Sequence, residues 1–244
     1  MNNTADESMN EKSYKTRTMK SVSCDKCKAE ISLPGGTTIN TCPFCGSVIK
    51  TQAIEAEIHI SEHILPFTVV KSEAESSYKY WLQSRVFLPD KVKRLAKDTS
   101  DMTQVFIPAW IFDYKAHVSW INTYQKKMST EELNNVRKNQ KITSSCNSII
   151  MYGGKCLPIA EFYMLDPWDL QAKEVFESQH FEGITLENHN PDMDAAFEAG
   201  KGGMEKELRI AVADTGSKPH PKDVQYSYSD IQAKYIYLPV WIKS

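Results

Sequence analysis

Apolar positions recur along the chain with two periods, and polar stretches separate them. Residues 1–19 mix both charge signs and carry almost no large aliphatic side chains, which predicts a disordered tail. Weak alternation at Ile54, Ile58 and Ile60 predicts a linker running into a first strand, and the β-branched stretch 64–70 predicts another. Ser72-Glu73-Ala74-Glu75 has the spacing of a capping box. Ala74, Tyr78, Trp81, Leu82 and Arg85 follow at helical spacing, so one helix face should bury aromatic rings. Pro89 opens a second short helix through Val92 and Leu95, with Lys91, Lys93, Arg94 and Lys97 toward water. Strand is predicted over 105–124, then a short polar helix or ordered loop at 129–132. A further strand at 147–152 ends at Gly153-Gly154, and a short helix follows Pro158. Met193, Phe197, Met204 and Leu208 mark a helix over 192–208, although Gly200, Gly202 and Gly203 weaken it; 234–242 is a last strand. Strands and helices are interspersed without regular β-α-β alternation, so the fold class is α+β with a mixed sheet. Phe106-Ile107-Pro108-Ala109-Trp110-Ile111 returns as Tyr237-Leu238-Pro239-Val240-Trp241-Ile242, which suggests a pseudo-repeat. Proline inside each copy implies an edge or a bulge, and the two Trp side chains should be buried in equivalent places.

Four of the six cysteines fall within 22 residues: Cys24, Cys27, Cys42 and Cys45, as two C-x2-C pairs separated by fourteen residues. Two cysteines spaced this way curl their sulfurs toward one point and supply half of a tetrahedral site. Pro43 fixes the second bend, and Gly46 can take positive φ so that backbone N–H groups face the thiolates. The first half, Cys24-Asp25-Lys26-Cys27-Lys28, lacks that glycine. Leu33-Pro34-Gly35-Gly36-Thr37 reads as a turn joining two short strands. The pattern is a zinc-ribbon hairpin binding one structural Zn2+ through Cys24, Cys27, Cys42 and Cys45. Two disulfides are disfavoured in a chain without an export signal, and neither pair sits at the strand-to-helix junction of a redox motif. Cys146 and Cys156 stand apart and read as small buried hydrophobes. The organisation that follows is a tail at 1–19, a ribbon at 20–50 and an α+β domain at 51–244.

Composition narrows the function. The 244 residues are 41% hydrophobic and 25% charged with a formal net charge of -2, which excludes a surface that binds polyanions over its whole extent. Five Trp, eleven Tyr and nine Phe suffice for a core. No apolar run approaches the roughly 20 residues of a membrane span, and 1–15 has no secretory core, so the expected location is cytoplasmic.

Taken together, the ordered motifs resemble a group of bacterial and phage zinc-ribbon proteins labelled primosomal-helicase-like or transcription-factor-IIB-type zinc ribbon. The resemblance rests on CPFCG at 42–46, ILPF at 64–67, Trp81-Leu82, FLP at 87–89 and VFIPAWIFD at 105–113, then DPWDL at 166–170 and KYIYLPVW at 234–241. It covers nearly the whole chain after residue 20 and implies architecture more than activity. Members usually continue beyond the LPVW strand, some into membrane helices, whereas this sequence stops at Ser244, as a short form or a fragment. The helicase label does not carry over. Gly200-Lys201-Gly202-Gly203 lacks the upstream glycine and following hydroxyl of a phosphate-binding loop, and there is no room for two motor domains.

No other constellation converges on chemistry. His59 and His63 are four apart but lie in a strand-like stretch; His117, His180, His189 and His220 are scattered, and no nucleophile signature occurs. The chain is therefore expected to be a non-catalytic zinc-ribbon binding or scaffold protein acting through protein contacts, with no small-molecule substrate indicated. The alternative is a nucleic-acid accessory protein in replication or transcription. There Lys15, Arg17, Lys20, Lys26 and Lys28, with Lys12, would contact phosphates without reading sequence. Phe44 could stack on a base, but packing beneath the cysteine turn is favoured.

Overall fold

The computed structural model describes residues 14–34, 38–85, 89, 98–99, 101–127, 133–181, 183–188, 192–214 and 222–243. Among the described residues sheet dominates, with few helices. The strands are β1 (Tyr14–Ser23), β2 (Glu30–Leu33), β3 (Ile54–Ser61), β4 (His63–Ile64), β5 (Thr103–Lys127), β6 (Leu133–Tyr152), β7 (Glu174–Val175), β8 (Thr185–Glu187) and β9 (Lys222–Ile242). The helices are α1 (Lys71–Ser84), α2 (Ile159–Tyr163) and α3 (Met193–Asp214). Strand order is β3-β1-β2-β8-β5-β9-β4-β7, with β6 beside β5. By contacts the chain divides into two compact units. One comprises Trp110–Met151 and Asp192–Lys234, the other Lys12–Ala109, Tyr152–Pro191 and Tyr235–Ser244.

In the first unit, α3 lays Ala196, Phe197, Met204, Leu208 and Val212 against the sheet. Phe197 packs on Phe112 (ring centroids 5.1 Å), Tyr114 (5.7 Å) and Tyr228 (5.4 Å). Gly200 is explained by close approach, because a Cβ there would lie 2.4 Å from the Met151 sulfur. A residue that lowers helix propensity is thus required where helix meets strand.

In the second unit, β1 pairs antiparallel with both β2 and β3, and β2 pairs with β8. Ile58, Ile60, Ile64, Phe106, Leu186 and Tyr235–Leu238 form its interior. Ser61 donates its hydroxyl to Tyr235 O at 2.6 Å, and Tyr237 donates its own to His59 O at 2.9 Å. These bonds tie the β3–β4 bend to β9.

Several expectations are corrected. Residues 14–19, expected in the tail, begin β1, because β3 offers them a partner over Tyr14↔Ser61 to Ser21↔Ile54. The strand expected over 64–70 stops at Ile64, two residues before Pro66, which has no N–H to give a ladder. Helix α1 starts two residues early: Val70 N–H donates to Glu73 Oε2 at 3.2 Å, so Glu73, not Glu75, closes the cap. Only Ala74 and Leu82 of that helix are buried; Trp81 is exposed, stacked on Tyr78 and covered by Arg85. The strand expected to end at Gly153-Gly154 ends at Tyr152, and the helix expected after Pro158 is α2, but β6 begins well before residue 147, at Leu133. Trp110 is buried at 3% exposure, whereas Trp241 is half-buried, so the two repeats do not place their indoles alike. The pairing of β8 with β5 covers Val105 and Phe106 and ends before Pro108, which accounts for a proline inside a long strand. The expected helix after Pro89, the loop at 129–132 and the tip of the 33–37 turn lie outside the described residues, as do Lys12, His189 and His220.

Candidate metal centre

Strand β1 delivers Cys24 into a tight turn, and the chain then repeats the same construction eighteen residues later. Lys28 N–H donates to Cys24 O at 2.8 Å, and Gly46 N–H to Cys42 O at 2.9 Å. Cys24 N–H donates to Ala29 O at 2.9 Å, and Cys42 N–H to Ser47 O at 2.8 Å. The residue after each C-x2-C is left-handed, Lys28 at φ 61° and Gly46 at φ 67°. Lys28 therefore fills, at a steric cost, the position glycine occupies in the second turn. Lys28→Gly should raise stability by about 1 kcal/mol and Gly46→Ala lower it by about as much, read as opposite shifts in denaturant midpoint.

The two turns bring four sulfurs within 4.8 Å of one another. Cys24 Sγ lies 3.6 Å from Cys45 Sγ, and Cys27 Sγ 3.6 Å from Cys42 Sγ. A disulfide would need about 2.05 Å, and all four cysteines are free thiols. Sulfurs at about 2.3 Å from a common tetrahedral centre would be about 3.8 Å apart, so the donor set fits a metal ion. One cysteine of each turn is buried, Cys24 at 1% and Cys42 at 0% exposure; Cys27 is exposed and Cys45 half-buried. Without metal the thiols hold their protons unequally. Burial pushes Cys42 up to about 12, whereas the Ser47 hydroxyl, 2.7 Å away, brings Cys45 down to about 6. Binding a metal would require all four as thiolates.

The centre is embedded in apolar packing. Val22, Cys24, Ala29, Ile31, Leu33 and Cys42 form one buried cluster, with Ile39, Phe44 and Ile49 against it. Phe44 is thus a packing residue beneath the second turn. Cys156 joins the same cluster, while Cys146 is half-buried elsewhere; neither is fully buried as the sequence suggested.

Beside Cys156 lies a carboxylate that the sequence did not single out. Glu187, 0% exposed on β8, accepts the Tyr152 hydroxyl at 2.6 Å and the N–H groups of Lys155 and Cys156 at 2.7 and 2.8 Å. Tyr152 Oη accepts in turn from the N–H groups of Cys156 and Leu157, both at 3.0 Å. Burial holds the Tyr152 phenol well above its ordinary range, so it remains a neutral donor to Glu187. A Cβ on Gly154 would fall 2.4 Å from a Glu187 oxygen. Gly153-Gly154 marks this close approach of backbone to carboxylate, which was the signal available in the sequence.

The basic residues do not converge in the same way. Lys15, Arg17 and Lys20 lie on β1, and Lys26 and Lys28 on the first cysteine turn. Lys15 Nζ is 3.3 Å from Glu62, Lys20 is in register with Glu55, and Arg17 lies over the Phe176 ring at 5.5 Å. Acidic or aromatic neighbours thus accompany the three on β1. His59 and His63 sit on different strands, His59 with its ring 4.5 Å from that of Tyr14. Among the described residues, no helix is long and apolar enough to cross a membrane.

No family model and no solved structure matches the chain. The chain spans about half the length of a curated relative that it matches: YdjG of Bacillus subtilis (strain 168), an uncharacterised protein. Similarity to it, at 22% identity over 197 residues, covers 74% of this chain and 56% of that protein.

Proposed function

We propose that the chain is a non-catalytic binding protein whose N-terminal segment is a zinc ribbon, with one structural Zn2+ held by Cys24, Cys27, Cys42 and Cys45. The observation that carries the reading is the convergence of four sulfurs within 4.8 Å on two equivalent turns. A tetrathiolate leaves no open coordination position for substrate, so zinc here would supply cross-linking of the two turns and no Lewis acidity toward a ligand. Cysteine rather than carboxylate donors favour zinc over magnesium or calcium. The non-catalytic part of the reading comes from the sequence, in which no nucleophile signature occurs; His117 has hydroxyl partners at both ring nitrogens, and His180 Nε2 lies 3.4 Å from Glu174. Elemental analysis of metal-replete protein should give one zinc per chain, and hydrolysis of ATP by the purified chain would overturn the non-catalytic reading.

Protein contacts are preferred to nucleic acid as the mode of action because the basic residues on β1 already have acidic or aromatic neighbours. Replacing Lys15, Arg17, Lys20 and Lys26 with Gln is expected to leave zinc content unchanged and to alter no DNA retention at physiological salt. Salt-dependent DNA binding by the wild type, lost in the quadruple variant, would instead establish a phosphate-contacting role.

A further inference from the structure

Three of the unusual proline–aromatic stretches in the sequence meet at one place. Pro66 and Phe67, Pro167 and Trp168, and Pro239 and Trp241 line a single cavity of about 390 Å³ within the second unit. Its remaining lining is aliphatic apart from Thr68 and one charged residue, Asp169. The walls are held in place. Trp241 donates its indole N–H to Val69 O at 3.0 Å, and its ring meets that of Phe67 at 75° with centroids 5.9 Å apart. Phe67 is wedged in turn against Phe106 at 5.1 Å. Asp169 is fixed by accepting the Gln171 N–H at 3.1 Å on Oδ1. Each proline further limits the freedom of its segment.

Aromatic faces carry negative quadrupole potential, and a single carboxylate at an otherwise uncharged aromatic site selects for positive charge. The bulk and greasy surface of such a site exclude a bare, strongly hydrated ion. An ammonium whose protons are replaced by methyl groups sheds water readily and offers apolar surface to the rings. We propose that this cavity binds an alkylated ammonium cation through Phe67, Trp168 and Trp241, with Asp169 as its counter-charge. A free quaternary ammonium compound and a trimethylated lysine side chain present the same group. The proposal rests on the binding-protein reading above but uses none of the cysteine ligands.

The test is a titration of the full zinc-loaded chain, followed by tryptophan fluorescence, with choline and with its uncharged isostere 3,3-dimethyl-1-butanol. Choline is expected to saturate the signal and to bind at least about ten-fold more tightly than the isostere. Asp169→Asn, which keeps an oxygen for the Gln171 N–H, should weaken choline binding several-fold, and Trp168→Ala should abolish it. Trp168→Phe should retain most of it, which separates loss of the aromatic face from loss of folding. Competition with a trimethyl-lysine peptide then distinguishes the sources: displacement of choline at lower concentration than choline itself assigns a protein side chain, and weaker displacement assigns the free compound. Equal binding of choline and the isostere, or unchanged choline binding in Asp169→Asn and Trp168→Ala, would overturn the proposal. Zinc is measured on the same samples. A chain without zinc that binds choline contradicts only the metal reading, and a zinc-loaded chain that does not bind it contradicts only this one.

Discussion

Cys42→Ser is expected to destabilise the whole sheet around the cysteine cluster and not a detached hairpin alone. Cys42 is fully buried and would be one of four metal ligands, so the change removes a ligand and leaves a hydroxyl in apolar packing. Structural zinc contributes on the order of 10 kcal/mol in isolated ribbons, comparable to the whole stability of an ordinary domain. A small zinc module standing alone would melt by itself. Here β1 pairs with β3 over eight residue pairs, β2 pairs with β8, and Cys156 packs on the same cluster. Loss of the centre therefore reaches residues far along the chain. A fall of about 20–40 °C in melting temperature is expected, with loss of amide protection in β3 and β8 as well as in β1 and β2. Loss of protection confined to residues 20–50 would show the ribbon to be an independent module.

Glu187→Ala should be nearly as damaging, for a different reason. It deletes the common acceptor of three buried or part-buried donors: the Tyr152 hydroxyl and the N–H groups of Lys155 and Cys156. Cys156 N–H keeps Tyr152 Oη as an acceptor, so two donors are orphaned at about 1–3 kcal/mol each, and a total of about 2–6 kcal/mol is expected in chemical denaturation. Glu187→Gln keeps one oxygen for the two N–H groups and should cost about half as much. If Ala and Gln variants unfold at the wild-type midpoint, the loop at 153–157 is not held by this carboxylate. Zinc content should stay at one per chain in Glu187→Gln, because Glu187 is not a ligand.

The cysteine centre was legible in the sequence because its chemistry is local. Two C-x2-C pairs with Pro43 and Gly46 specify turn, donor and spacing within a few residues, and the structure brings all four sulfurs together. Helix α3 was legible in the same way, from Phe197, Met204 and Leu208 at helical spacing. The long strands were seen only in part. The apolar run over 234–242 marks only the end of β9, which runs back to Lys222 through alternating Val224, Tyr226 and Tyr228 amid polar residues. Its outward positions are polar throughout, so hydrophobic content was a poorer guide than period. Glu187 was hidden for a deeper reason. A buried carboxylate is recognisable only from its donors, and these lie more than thirty residues away, at the end of β6 and on the loop after it, whose path follows from the tertiary fold. The cavity at Trp168 and Trp241 is a similar case: each proline–aromatic stretch was visible, but their meeting was not.

X-ray absorption at the zinc edge, on protein purified without added metal, reads the coordination that the four cysteines are proposed to supply. One zinc per chain is expected, with four sulfur neighbours at about 2.3 Å and neither nitrogen nor oxygen bound to the metal. A shell containing nitrogen or oxygen, or a metal-free chain with all four of Cys24, Cys27, Cys42 and Cys45 reacting as ordinary thiols, would contradict it.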